Sequence, residues 1–573
     1  MKTSRVIPLF LALACSSLSA QTIGSSTEPV IVDQGPHHNL WQYETYEPGP
    51  DGKPVARIHQ YRELASGLNY LSAGKWMASQ ENVEAFSGGA MAQKGQNKII
   101  FANNINTPGA IDAQMSDGLR LRSHVLGLIY VDASTGQSVL IGQLQDSEGV
   151  LVADNQVLYA NAFSGVHADV SYTYHKSGLE QDIVLREQIP TPESVGLNSA
   201  TTELEVATEF VEPPVARVGS VTANDGSESD QSVSWGATSL GLGKAFNLNG
   251  QDTPVRVHKQ YTKIGGRYFL LEKVRVRDIQ PGLSKLPDQA SNAKRLPGMA
   301  SAHFTFPKAP AAKSATRPMR VAMRKQLDKG YVLDYVSLTT SYTNYTFQSD
   351  TTYYVSGTLN LITTTNNCFE GGTVIKFATN GSIILGYSTT PCINWQAGPY
   401  HPVVFTAKDD NTVGQNVGGT GNPTGYYGNP MLALESISPP FSLTGLRMSY
   451  AQSAIGCYNV SVNFNNLQMV NCQNNFILGN ANVSVGNALF ANTRTNIVFL
   501  GASMLVAQNA TFSGASQLAI GYYYPGTVSG IALTNCVLAN VSILPPAEAN
   551  TTVETAQPPL ASDSAETPPT ENA

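Results

Sequence analysis

From Phe441 to Leu544 apolar and polar positions repeat about every 21 residues. Asn466, Asn487, Asn509 and Asn535 each open the same local pattern, which reads Asn466-Leu-Gln-Met469, Asn487-Ala-Leu-Phe490, Asn509-Ala-Thr-Phe512 and Asn535-Cys-Val-Leu538. Gly445-Leu-Arg-Met448 fits the frame one repeat earlier. Apolar residues alternate just before each Asn: Val462 and Phe464, Val483 and Val485, Leu505 and Ala507, Ile531 and Leu533. A second series, Ile455-Gly456, Leu478-Gly479, Leu500-Gly501 and Ile520-Gly521, runs in step. Short alternating segments at this period predict the coils of a β-solenoid, because one coil alone cannot bury its apolar face. Asn at a recurring corner tolerates a left-handed backbone, and Gly does so without a side-chain clash.

A leucine-rich repeat has a similar period, but its Leu-x-x-Leu-x-Leu spacing and helical segment are missing. The pattern resembles the pectin-lyase-like right-handed parallel β-helix superfamily, over roughly Tyr331 to Leu544. The resemblance implies a right-handed parallel β-helix with Asn ladders. The catalytic motifs of the superfamily's pectin- and polygalacturonan-cleaving members are not evident here, so the likeness concerns fold and is only an analogy for function.

Upstream the periodicity changes. From Ile58 to about Ile279 short alternating strands flank turn signals, as in Ala168–Tyr174, the turn Lys176-Ser-Gly178, and Asp182–Arg186. This predicts an antiparallel β-sandwich. The expected fold is therefore all-β: residues 1–20 a signal peptide, 21–57 loosely ordered, 58–280 a β-sandwich region of one or two domains, 281–330 a Pro/Ala/Lys-rich linker, 331–544 the parallel β-helix, and 545–573 a disordered acidic Thr/Pro tail.

Composition narrows the setting. A net charge of −7 with only 13% charged residues argues against a nucleic-acid partner. Lys2 and Arg5 precede an apolar run from Val6 to Ala14 and small residues up to Ala20, which reads as a signal peptide and predicts a secreted or cell-surface protein. Ala12-Leu-Ala-Cys15 is a loose lipobox, with Ala12 where Leu is expected, so a lipid anchor at Cys15 is the secondary reading. No later apolar run is long enough for a transmembrane helix. Cys368 and Cys392 lie about one coil apart, a spacing that fits a disulfide or two buried apolar side chains. Tail acids without Lys or Arg, and no packed apolar pattern, predict disorder after Leu544.

The candidate chemistry sits on the solenoid. If Ile375 and Phe377, Val403 and Phe405, and Leu446 and Met448 face inward, then Lys376, Val404, Arg447 and Gln468 form one outward column. Lys376, Lys408 and Arg447 are the candidate catalytic residues of a lyase on a uronate-containing polysaccharide, which needs charge neutralisation at the carboxylate and a proton acceptor. Arg447 suits neutralisation, since its pKa is too high for a base. The Asn411–Asn429 loop is expected as the groove wall. Tyr426, Tyr427 and Gln468 are candidate substrate contacts, and Tyr522-Tyr523-Tyr524 is a further stacking platform. Asp409 and Asp410 at the adjacent corner could bind calcium through oxygen. Glu180, Asp182 and His175 form a second cluster. Solvated cations and ordinary Asp turns explain much of this pattern without a site. The alternative function is a non-catalytic surface or adhesion protein whose β-helix binds carbohydrate or acts as a spacer. No His-Glu-x-x-His, Gly-x-Ser-x-Gly or P-loop motif occurs.

Overall fold

The computed structural model describes residues 22–542 and 551–556, apart from 223–228, 242, 249–254, 289–297, 302–306, 311–316, 323–328, 343, 363–365, 389–392 and 522–528. The expected signal peptide and Cys15 lie outside the described residues. The chain is nearly all β. No helix among the described residues is long and apolar enough to cross a membrane.

The Asn series marks the corners of a parallel β-helix. Ser461–Val470 lies parallel between Phe441–Ser449 and Asn482–Ala491. At its middle Asn466 has φ 55°, and the ladder skips there: Asn465 pairs with Gly486, and Leu467 with Ala488. The strand thus folds into two arms. Asn471 (φ 58°) makes the second corner and Asn480 (φ 52°) the third. Between them Asn474–Gly479 is the third arm, in a separate seven-stranded sheet. Asn487, Asn492, Asn509 and Asn535 repeat the left-handed corners in later coils. Asn fits because its short side chain makes that region affordable and bonds locally.

Alternation then fills the coil. Val462, Phe464, Leu467, Met469, Phe476 and Leu478 all point into one continuous core. Aromatic rings stack along the axis, with Phe490 and Phe512 4.7 Å apart between centroids. Deeper in the coil Asn475 Nδ2 donates to Asn496 Oδ1 at 2.7 Å, so one buried side-chain amide is tied to the next one coil away.

The solenoid begins far upstream of the repeat. The segment expected to be loosely ordered carries β1 (Val30–Gly35) and β2 (His38–Pro48), followed by β3 (Pro54–Leu64). These strands are antiparallel to one another. β3 then pairs in parallel with Thr352–Val355, Tyr353 opposite Arg62. Leu64 enters the solenoid core. The hairpin therefore caps the first coil and covers what would be an open parallel edge.

Everything between the cap and the coils is one insertion. Its strands run from Glu84 to Thr340, in mainly antiparallel sheets that close on each other around a separate core including Phe101, Tyr130, Tyr159 and Tyr172. The expected hairpins are present, with Ala168–His175 paired to Gly178–Leu185 and Val131 opposite Ser138. Tyr331–Thr340, expected to open the β-helix, instead pairs antiparallel with Gly178–Leu185. Its alternation fits an antiparallel neighbour as well as a coil. Parts of the expected linker are packed: the helix Val276–Leu283 buries Ile279 and Leu283, Met319 is buried, and Arg320–Val321 pairs with Val150 and Leu151, although Met299 and Val321 are exposed. Within the expected disordered tail, Thr551–Ala556 forms a strand parallel to Ser529–Thr534. The β-branched run there meets the open edge of the last coil, which is a ready template.

The insertion rests against the solenoid. Lys244 Nζ lies 5.6 Å from the Tyr458 ring centroid. On the neighbouring rung, burial raises the Glu435 carboxyl above its usual range, although Lys244, Lys259 and Arg256 oppose the shift.

Candidate functional site

The outward face of the solenoid carries a shallow groove of about 370 Å³. Its floor is the second arm of successive coils. Arg447 pairs with Gln468, which pairs with Leu489. Arg447 is exposed because Leu446 and Met448 turn inward. The corner amides Asn466, Asn487 and Asn509 line it, and so do Pro399 and Pro402. Asn466 Nδ2 donates to Thr444 Oγ1 at 3.2 Å, and Asn509 Nδ2 to Asn487 Oδ1 at 3.5 Å. These amides were legible as corners; their second use as a row of donors and acceptors follows from the stacking of the corners.

Lys376 does not share the Arg447 column. It pairs with Thr406, whereas Arg447 pairs with Val404. The two cations are two rungs and two residues apart, roughly 12 Å at the usual strand spacings. Lys376 does project from the coil, between inward Ile375 and Phe377, yet it is 0% exposed. The Asn411–Asn429 loop folds back over this face instead of walling the groove. Gly414, at φ 63°, approaches so closely that a Cβ there would lie 2.7 Å from Thr352 Oγ1. The Gln415 amide donates to Thr352 Oγ1, and Gln415 Oε1 sits 2.8 Å from His59 Nδ1. Val417 packs with Tyr43 and Tyr61 of the cap.

The Asp pair locks this loop. Asp409 accepts from Thr420 N at 2.7 Å and from Tyr427 Oη at 2.6 Å. Asp410 accepts from Thr406 Oγ1 and from the amide and hydroxyl of Thr412. Burial by itself would raise both carboxyls, but these hydrogen bonds outweigh it and hold them below the usual carboxylate range. The expected calcium ligands are thus saturated by the chain's own donors. Among the described residues no group of three or more His, Cys, Asp or Glu side chains is arranged to hold a metal ion. Tyr427, expected as a stacking platform, is 6% exposed and belongs to the solenoid core, while Tyr426 is 42% exposed.

Lys376 Nζ is buried with no hydrogen-bond partner. Desolvation pulls it down to about 8, and Asp410 only partly opposes this. Lys408 is half-buried at the corner. Of the three expected catalytic cations only Arg447 lines the groove. The second expected cluster is a clamp: His175 lies 3.2 Å from Glu180 and 3.7 Å from Glu81. Burial lowers the imidazole, but the two carboxylates outweigh it and raise it to about 10. Cys368, Cys457, Cys472 and Cys536 are free thiols. Cys392 and Tyr522-Tyr523-Tyr524 lie outside the described residues.

Comparison with protein-family models, with curated proteins and with solved structures found no match to this chain.

Proposed function

We propose that this is a secreted or cell-surface protein whose β-helix binds an acidic polysaccharide along the groove without cleaving it. One observation supports this reading above the lyase: the polar groups of the groove are amides and one guanidinium, and among the described residues that line it Arg447 is the only titratable side chain. Uronate elimination needs a group that accepts a proton near neutral pH. Arg447 is too basic for that role but well suited to a carboxylate. The corner amides rise along the solenoid axis at the strand repeat of about 4.8 Å, close to the length of one sugar unit. An extended chain lying along the axis meets a donor and an acceptor at each coil. The row of amides beside a guanidinium supports a hydroxyl-rich acidic polymer as the ligand class, and the basic and apolar N-terminal segment supports export. The lyase reading keeps one supporting feature, a lysine near pH 8, but that lysine lies under the loop.

Arg447→Ala is expected to retain the fold and to lower affinity for a uronate polymer about ten-fold or more, the worth of one charge-assisted hydrogen bond. Affinity electrophoresis in gels containing polygalacturonate or alginate, with a neutral glucan as control, reads this directly. Equal retardation of the native protein and the variant would remove the groove from consideration.

A further inference from the structure

A second cavity lies at the seam between the solenoid cap and the insertion. It measures about 530 Å³, within the range of small-ligand sites at about 300–1,000 Å³. One wall is a two-stranded ribbon, β4 (Asn69–Ser72) and β5 (Lys75–Ala78), which pairs with no third strand among the described residues. Its turn, Ala73-Gly74, has both residues at positive φ, the geometry that matches hairpin twist.

A lone ribbon is marginal in water, and this one is pinned at its base. Asn69 Nδ2 donates to Gly35 O and to Asn39 Oδ1, and Gln96 Nε2 donates to Asn69 O. Beyond that anchor its side chains contribute to no hydrophobic core. Leu71 is 59% and Met77 49% exposed. Trp76 is half-buried and stands directly opposite Leu71, so both project from the same face. Tyr70, Leu71 and Trp76 all line the cavity, and Lys98, Gln114 and Asp117 line it too. Asp117 is held in place by the amides of Leu119 and Ala237.

We propose that this cavity is a binding site for a neutral oligosaccharide. A pyranose presents apolar C–H groups on one face and hydroxyls around its rim. The ribbon, anchored at its base, offers aromatic and aliphatic groups, and the rest of the lining offers polar groups of both signs. One ammonium and one carboxylate leave the lining without net charge, so a neutral sugar fits better than a uronate. The site is independent of the Arg447 groove, shares no residue with it, and does not rest on the function proposed for it.

The test titrates the full-length exported protein with a panel of neutral oligosaccharides built of glucose, mannose, galactose or xylose units, read by tryptophan fluorescence and by saturation-transfer NMR. At least one series is expected to bind and to perturb fluorescence. Trp76→Ala should then weaken it at least ten-fold, Trp76→Phe should retain most of the affinity, and Arg447→Ala should leave it unchanged. Because Trp76 lies outside every core cluster, the circular dichroism of both Trp76 variants should match the native protein. The proposal is overturned if no neutral series binds at millimolar concentration. It is equally overturned if Trp76→Ala, natively folded, binds as well as the native protein, or if binding is lost in Arg447→Ala instead.

Discussion

Replacing Lys376 with Met is expected to stabilise the protein at pH 7 by about 1–3 kcal/mol. The ammonium is fully buried on the outward face, under the folded-back loop, and its Nζ has no hydrogen-bond partner. A buried charge that Asp410 compensates only in part is expensive, and a thioether of similar length removes it while keeping the packing. Lysine titrates near 10.5 in the unfolded chain and near 8 in the folded protein. A shift of that size corresponds to about 3 kcal/mol, an upper bound for the gain. Between pH 8 and 10.5 the unfolded chain binds more protons, so this residue's contribution to stability rises with pH. Below pH 8 both states are charged and the whole penalty remains. Urea denaturation of the native protein and Lys376→Met at pH 7 and pH 10 should therefore show a gap that closes at the higher pH. A variant less stable than the native protein at pH 7 would mean that the ammonium is compensated where it sits.

Phe490→Ala is expected to cost about 3–5 kcal/mol, the usual range for emptying a buried phenylalanine site. Its ring stacks on Phe512 at 4.7 Å and meets Phe476 edge-on at 6.0 Å. In a solenoid each coil is stabilised chiefly by its neighbours, so the loss should stay local. Hydrogen exchange should accelerate at Thr495–Phe499 and Met504–Ser513 while Thr352–Val355 and Val374–Phe377 keep their protection. Uniform acceleration along the whole solenoid would show that the coils do not behave as stacked units.

The corners were legible because a left-handed backbone position leaves a strong residue signature. Asn466, Asn487, Asn509 and Asn535 announce both the period and the fold. The register between coils was not legible in the same way. Apolar alternation has period two, so a shift of two residues leaves every inward side chain inward. That ambiguity placed Lys376 beside Val404 when its true neighbour is Thr406. The phase of Arg447 survives such a shift, and its side chain is exposed. The covering of Lys376 was hidden for another reason. It depends on Gln415 and Val417 meeting His59, Tyr43 and Tyr61, partners more than 350 positions away in sequence. The cap strands were missed likewise, since they are partly exposed and turn polar and apolar residues to surfaces that only the distant coils supply.

The central claim, binding without cleavage, is tested most directly by incubating the native protein with polygalacturonate and with alginate. Retention of the protein on the polymer and polymer chain length are followed in the same sample, with absorbance of unsaturated ends and reducing ends as the cleavage signals. At least one acidic polymer should retain the protein while chain length and both signals stay at the level of the protein-free control. Steady growth of unsaturated ends in proportion to protein concentration would contradict it. That result would return Lys376 and the loop above it to the centre of the chemistry.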